Sequence, residues 1–506
     1  MKQVYNINQD LKEFSSAKEH FIHLVNELQS EQTIEMEHGD VEQIISREGN
    51  EILRRLLQAH LDLRSAQEQK QKEMKGSNGD KLTHIRENCE RSLMSLFGQV
   101  KVRRIGYNMR GKSSVFPMDA ELNLPKDKYS HGLRQRVAQE VSKNSFDAAV
   151  ESIKQTTGGK VPKRQIEEIT TEISQDFVKF YENQPSNSFE ESSDPLIMSE
   201  DAKGIVMRQE SLREATRKAA EKKSTKRKAR LNKGEKRNRK RMAMVGAVYS
   251  IERNYRTPEE IMGVEKSEEK ARVKPRARAR NKRVWASVER DHNVVTDEIF
   301  EEALSRDPEK RREWVMLIDG HNDQLKNIRS SMKRYNVAVL LILDFIHVLE
   351  YLWKAAYCFY KAGSDSAEEW VGYRALQILK GNASHVAGGM RRSATLRGLS
   401  IEKRKAVDKC ADYLLKYKEM LKYEEYLAAG LPIATGVIEG TCRHLINDRM
   451  DITGARWGLE GAEAVLKLRS LQSSGDIDAY LDFYKVKSLQ RNHEPQYIDP
   501  MIKDVA

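Results

Sequence analysis

Cysteine is scarce in this chain: Cys89, Cys358, Cys410 and Cys442 are the four present, and they stand far apart. No short paired spacing joins them, which excludes a disulfide framework and a zinc ribbon and leaves the thiols expected to be inert. Long apolar runs are also missing. The longest, residues 337–349, contains Asp344 and His347 and falls short of the roughly 20 residues needed to cross a bilayer. The segment from Met1 lacks the apolar core of a signal peptide, so the cytoplasm is the expected compartment. Aromatic residues are thin overall and absent from the basic stretch 213–241, which argues against base stacking there.

What is abundant is charge. Lys and Arg number 88 against 76 Asp and Glu, a formal net charge of +12. Such an excess favours a polyanionic partner, because cations gain by displacing counterions from a phosphate backbone. With 39% apolar residues, the 506-residue chain can supply real cores, and its length suits about three domains.

Residues 1–80 are expected to form a helical arm, in which Ile52, Leu53, Leu56 and Leu57 recur at helical spacing. Within 81–190, residues 99–107 alternate apolar and basic with period two, the pattern of a half-buried strand with a basic outer face. Ser145 is placed to cap a helix through Ile153, Gly158 and Gly159 make a turn, and Pro162 opens a second helix carrying Ile166, Ile169 and Ile173. This is the outline of a helix-turn-helix. Lys163, Arg164 and Gln165 at the start of its second helix can reach phosphates or base edges in a major groove. The region is thus read as mainly α with a short β element.

A polar linker, residues 184–194, opens a second region. Residues 196–199 and 205–207 read as two short strands joined by an acidic turn that holds Asp201. In the basic stretch, Lys226, Arg227, Lys228, Arg230, Arg237, Arg239, Lys240 and Arg241 are expected to meet DNA backbone as a solvated segment. Residues 242–249 supply a third strand. Residues 313–319 and 337–344 are apolar without alternation, as in strands covered on both faces, and each runs into an aspartate. In open sheets of this kind the working site lies outside the carboxyl ends of the strands, where Asp319 and Asp344 would sit. Residues 348–430 read as helical throughout, 431–475 as further helices with Glu439 on the first, and 476–506 as a peripheral tail.

Each acid also has a structural reading. Asp319 can cap the helix after Gly320, and Glu439 can pair with Arg443 four residues on. Asp344 inside an apolar run needs a partner such as His347 or a metal. Glu460 is the alternative helical acid.

The order of strands and acids resembles a ribonuclease H-like fold: an α/β catalytic domain with a mixed five-stranded sheet and helices over 195–347 and 431–475, interrupted by an all-α insertion over 348–430. Local wording narrows this. Residues 97–107, 122–125, 129–131, 201–208, 212–219, 247–249, 344–355 and 436–449 are together similar to the ISKra family of bacterial insertion-sequence transposases, and the resemblance covers most of the chain. It implies a DNA transposase whose Asp201, Asp319 and Glu439 hold two Mg²⁺ or Mn²⁺ ions, cutting at the element's ends and then joining to target DNA. It further implies double-stranded DNA as partner, terminal inverted repeats recognised by the helix-turn-helix, a homodimer, no membrane, and a place at the bacterial nucleoid. Asp344-Phe-Ile-His347 resembles the Asp/Cys-x-x-His element of related Mutator-like and hAT transposases, which makes Asp344 and His347 supporting residues. One departure stands out: the family reads Asp-Gly-Lys-Gly where this chain has Ala202. If that position needs positive φ, alanine costs about 1 kcal/mol and shifts Asp201. Two rival functions carry over from the same body plan, a catalytically inactive DNA-binding repressor and a structure-selective DNA nuclease.

Overall fold

Contacts divide the chain into two units, Met1–Glu182 with Gly475–Ala506, and Asn183–Ser474. The structure, a computed structural model, describes residues 12–72, 74–183, 193–224, 238–263 and 278–497. Lys226, Arg227, Lys228, Arg230 and Arg237 lie outside the described residues.

The first unit begins with helices α1 (Ser15–Leu28) and α2 (His38–Gln67). Leu57 and Leu61 of α2 pack on a hairpin of β1 (His84–Ser95) and β2 (Gly98–Asn108), whereas Leu53 and Leu56 remain exposed. The alternation in β2 is realised: Val100 and Val102 are buried, and Lys101 and Arg103 point outward. That outer face is not free cation, because Lys101 pairs with Glu90 at 2.7 Å and Arg103 with Asp62 at 3.3 Å. Next, α3 (His131–Lys143), α4 (Phe146–Thr156) and α5 (Lys163–Ser174) pack against one another around Ile153, Ile166, Ile169 and Ile173. The Ser145 hydroxyl accepts from Ala148 N at 3.2 Å, capping α4 as its spacing indicated. The α4–α5 turn rests on the hairpin tip: Gly158 N donates to Leu96 O at 2.7 Å, and a Cβ at 158 would stand 2.3 Å from Phe97 O. Only glycine fits there.

The second unit is built on a mixed sheet. Its strands are β3 (Leu196–Val206), β4 (Lys240–Ser250), β5 (Arg280–Ser287), β6 (Trp314–Ile318) and β7 (Leu340–Leu343), in the order β5-β4-β3-β6-β7. β3, β4 and β5 are antiparallel, while β6 and β7 run parallel to β3. The reading of 196–207 as two strands around an acidic turn is corrected. Every residue from Leu196 to Val206 pairs with β4 in one unbroken register, and this ladder holds Glu200 and Asp201 in mid-strand. Ala202 lies in that strand opposite Met244 and is not among the positive-φ residues, so alanine there carries no conformational cost. All five residues of β6 are buried, each at most 2% exposed. At roughly 2 kcal/mol per buried large apolar side chain, this short strand anchors the sheet.

Helices cover both faces. α6 (Glu214–Ser224) follows β3, and α7 (His292–Arg306) packs on β3 and β4. α8 (Asn322–Arg334) joins β6 to β7. The stretch read as all helical contains α9 (Phe345–Ala356), α10 (Asp365–Leu379), α11 (Ala383–Leu396), α12 (Ile401–Lys416) and α13 (Tyr423–Ala428), with no strand among its described residues. The chain then returns to the sheet through α14 (Gly436–Cys442), a π-helical turn at Arg443–Asn447, and α15 (Leu459–Ser474). β5 is an edge strand whose outer amides would be unpaired. α15 satisfies them: Ser474 Oγ accepts from Val284 N at 3.0 Å, Ser470 Oγ from Ala286 N at 3.3 Å, and Glu463 Oε2 from Val288 N at 2.9 Å.

The expected C-terminal tail is instead a helix, α16 (Ile477–Asn492), that belongs to the first unit. Tyr480 and Tyr484 are buried, the Tyr480 hydroxyl donates to Ile173 O, and Arg491 pairs with Asp176 at 3.0 Å. Two buried tyrosines with partners for their hydroxyls make this a core element.

Candidate active site

Strand register gathers the aspartates. Ser199 pairs with Leu317, and Ile318 pairs with Leu343. Continuing both registers puts Asp201, Asp319 and Asp344 in one row across three adjacent parallel strands, just past the ends of β6 and β7 and midway along β3. Neighbouring strands are about 4.8 Å apart and residues in one row share a face, so the three side chains leave the same side of the sheet. Glu200 points to the other side, where it accepts from Thr296 Oγ1 at 2.8 Å and meets His292 Nε2 at 3.0 Å on α7. One of two consecutive acids is thus a satisfied buried group, and the other faces the row.

The three aspartates differ in what holds them. Asp201 Oδ1 accepts from Ala202 N at 2.6 Å, and Cys442 Sγ donates to its Oδ2 at 3.2 Å. The thiol read as inert therefore touches a candidate acid, and burial beside Asp201 pushes it well above its ordinary value. Asp319 Oδ1 accepts from His321 N at 2.9 Å at the entrance to α8. Its turn is braced from α12, where Tyr413 OH donates to Asp319 O at 2.9 Å, and Tyr417 OH to Gly320 O at 2.5 Å.

Asp344 is fully buried and multiply bonded. Its Oδ1 accepts from Ile346 N at 2.7 Å, capping α9, while Oδ2 accepts from Thr435 N at 3.3 Å and from the Thr435 hydroxyl. Phe345 N also donates to Ile433 O at 2.9 Å. These bonds tie the end of β7 to the segment that launches α14. His347 Nδ1 lies 3.6 Å from Asp344 Oδ2, an ionic rather than a hydrogen-bonding separation, and the carboxylate holds the imidazole above its ordinary value against the opposing effect of burial.

α14 completes the row. Glu439 and Cys442 are three apart, on one face of the helix, so contact of Cys442 with Asp201 brings Glu439 over the acids. Burial, then the charges of Asp344 and Asp201, raise the Glu439 carboxyl, with His347 opposing them. The alternative reading of Glu439 as a surface partner of Arg443 is not realised, since Arg443 faces Asp448 at 3.8 Å. Glu460 opens α15 as an exposed residue and is not among the leading charges on Glu439. Arg469 ties down the π turn after α14, its Nε donating to Leu445 O at 2.9 Å.

Among the described residues, no Lys or Arg forms an ion pair with Asp201, Asp319, Asp344 or Glu439. As arranged, no three His, Cys, Asp or Glu side chains among the described residues converge as metal ligands.

The expected DNA contacts fall in both units. Lys163 pairs with Asp147 at 2.7 Å, Arg164 with Glu168 at 3.0 Å, and Gln165 bonds Glu168 at 2.6 Å, all at exposed positions where such links are weak. Lys240 is exposed, and Arg239 lines a cleft of about 420 Å³ with Arg208 and Arg456. Arg241 is corrected: its guanidinium is spent on the protein, donating to Val288 O at 2.7 Å and to Ser211 O and Glu289 O at 3.3 Å. Residues missed from sequence are Thr435, Cys442 and the tyrosine pair Tyr413 and Tyr417, which act through contacts distant in the chain. No protein-family model and no curated protein matches this chain.

Proposed function

We propose that the chain is a DNA transposase with a ribonuclease H-like catalytic unit, acting through Asp201, Asp319 and Glu439. One observation carries this reading: the strand registers, continued, bring three aspartates into a single row across β3, β6 and β7, with the helical Glu439 beside Asp344 and Asp201. The strand order β5-β4-β3-β6-β7, with the first three strands antiparallel, is compatible with that fold and supports it. The donor set suits a hard divalent cation, because it is carboxylate oxygen with no Lys or Arg ion-paired to it among the described residues. Asp201, Asp319 and Glu439 would hold it. Two Mg²⁺ or Mn²⁺ ions, when bound, supply activation of a hydroxyl and stabilisation of the leaving oxygen of a phosphodiester.

The protein's own contribution is positional. Backbone ladders fix Asp201, the Tyr413 and Tyr417 hydroxyls fix the Asp319 turn, and Asp344 with Thr435 fixes the root of α14. Glu439, at an exposed position on α14, is the acid free to close on the others. In this reading α3–α5 bind terminal repeats, with Lys163 and Arg164 exchanging weak surface pairs for phosphates.

The experiment uses labelled duplexes made from the sequences flanking the gene, incubated with Mg²⁺ and target DNA. Joined products are expected from the native chain and not from Asp319→Asn or Glu439→Gln. Cutting without joining would point to a nuclease, and binding without nicking to a repressor.

A further inference from the structure

We infer that the open groove between α8 and the end of α12 seats the phosphodiester backbone of a DNA strand next to the acid row. The groove encloses about 590 Å³, and Lys326, Arg329, Lys333 and Lys416 line it over a floor of Leu325 and Met420. None of its described lining residues is acidic. Lys326, Arg329 and Lys333 recur at i, i+3 and i+7 on one face of α8, and all three are exposed. Among the described residues none of the four cations has an acidic partner, and Lys416 reaches only the Asn322 side chain and the Tyr417 ring at 4.8 Å. The contrast is local: Arg334, one residue past Lys333 on the same helix, is ion-paired with Asp297. Like charges three and four apart repel on a bare helix, so such a face is unfavourable unless a polyanion covers it.

Position ties the groove to the candidate chemistry. Asn322 and Tyr417 line it, and the Tyr417 hydroxyl donates to Gly320 O at 2.5 Å, so the groove opens directly off the turn that carries Asp319. From residue 326 to 333 the helix rises about 10 Å, and a DNA strand advances about 3.4 Å per phosphate. The three cations therefore span about three phosphate steps of a strand leading away from Asp319. A concave trough suits a strand, whereas a flat lipid surface would leave its floor unfilled.

This inference rests on the acid row acting on phosphodiesters, and its test separates the two. The full chain is compared with the triple variant Lys326→Gln, Arg329→Gln, Lys333→Gln, all exposed helix positions where glutamine is well tolerated. Anisotropy of a labelled 30-base-pair duplex is followed against salt. Neutralising three phosphate contacts is expected to lower the slope of log K against log salt by about 2.7. An unchanged slope overturns the groove. So does loss of binding to phosphatidylserine vesicles with DNA binding intact, which would assign the surface to lipid. Asp319→Asn is run alongside: a reduced slope in the triple variant together with wild-type cutting by Asp319→Asn upholds the groove and refutes the acid row.

Discussion

Removing the Asp344 carboxylate should loosen α14 while leaving Asp201, Asp319 and Glu439 in the sequence. Asp344 caps α9 through Ile346 N and accepts twice from Thr435 at a position with no solvent exposure. Loss of a cap costs about 1 kcal/mol, and leaving the Thr435 donors buried without an acceptor costs roughly 2 more. Asp344→Ala should therefore lower local stability by about 3 kcal/mol, which corresponds to amide exchange about a hundredfold faster at 1.4 kcal/mol per tenfold. The amides of Ile346 and Thr435 are the ones to follow, by hydrogen exchange and mass spectrometry. Asp344→Asn keeps an oxygen for Ile346 N and should lose only about half as much. His347 adds a pH signature. Its value is raised above the ordinary 6.5 by Asp344, so the pair contributes fully below pH 6.5 and is lost as pH rises through the raised value. The Asp344→Ala effect should accordingly be larger at pH 6 than at pH 8. Exchange at Thr435 within threefold of the native chain would refute the role given to Asp344.

Two further outcomes follow from the packing. Gly320 has φ +83°, and an added Cβ would lie 3.0 Å from Tyr417 Cε2 and 3.1 Å from Leu343 Cδ1. Gly320→Ala should thus cost about 3 kcal/mol from left-handed strain and overpacking, measured as a lowered urea midpoint, and should displace Asp319. In the first unit, burial and then Arg134 push His131 down to about 4 from its ordinary 6.5. Its stabilising contribution is present above pH 6.5 and lost as pH falls through about 4, about 3 kcal/mol in all. His131→Gln should flatten the urea midpoint between pH 7 and pH 4.

Residue patterns revealed some elements and concealed others for physical reasons. β6 and β7 were legible because strands buried on both faces must be apolar throughout, and β2 because one face is dry and the other wet. β1, whose residues 84–92 are nearly all polar, offers no alternation and is set by pairing with β2. The same holds for Glu200-Asp201-Ala-Lys-Gly204, a stretch with turn composition that eleven-residue β4 holds extended. α16 looked peripheral because the value of Tyr480, Tyr484 and Arg491 lies in partners some 300 residues earlier. At the site, Asp319 and Asp344 were visible as acids ending apolar runs. The contact of Cys442 with Asp201, 241 residues apart, and the bond of Thr435 to Asp344 have no local trace. Arg241 reads as one more cation in a basic run, and only the loops around it turn it inward.

The claim that Asp201, Asp319 and Glu439 form one cation-dependent centre is tested most directly by titrating the full chain with Mn²⁺ and counting bound ions by electron paramagnetic resonance. Two ions per chain are expected for the native protein and fewer for Asp319→Asn and Glu439→Gln, with binding weakening as pH falls toward the raised Glu439 carboxyl. Equal Mn²⁺ binding by the native chain and both variants would contradict the account.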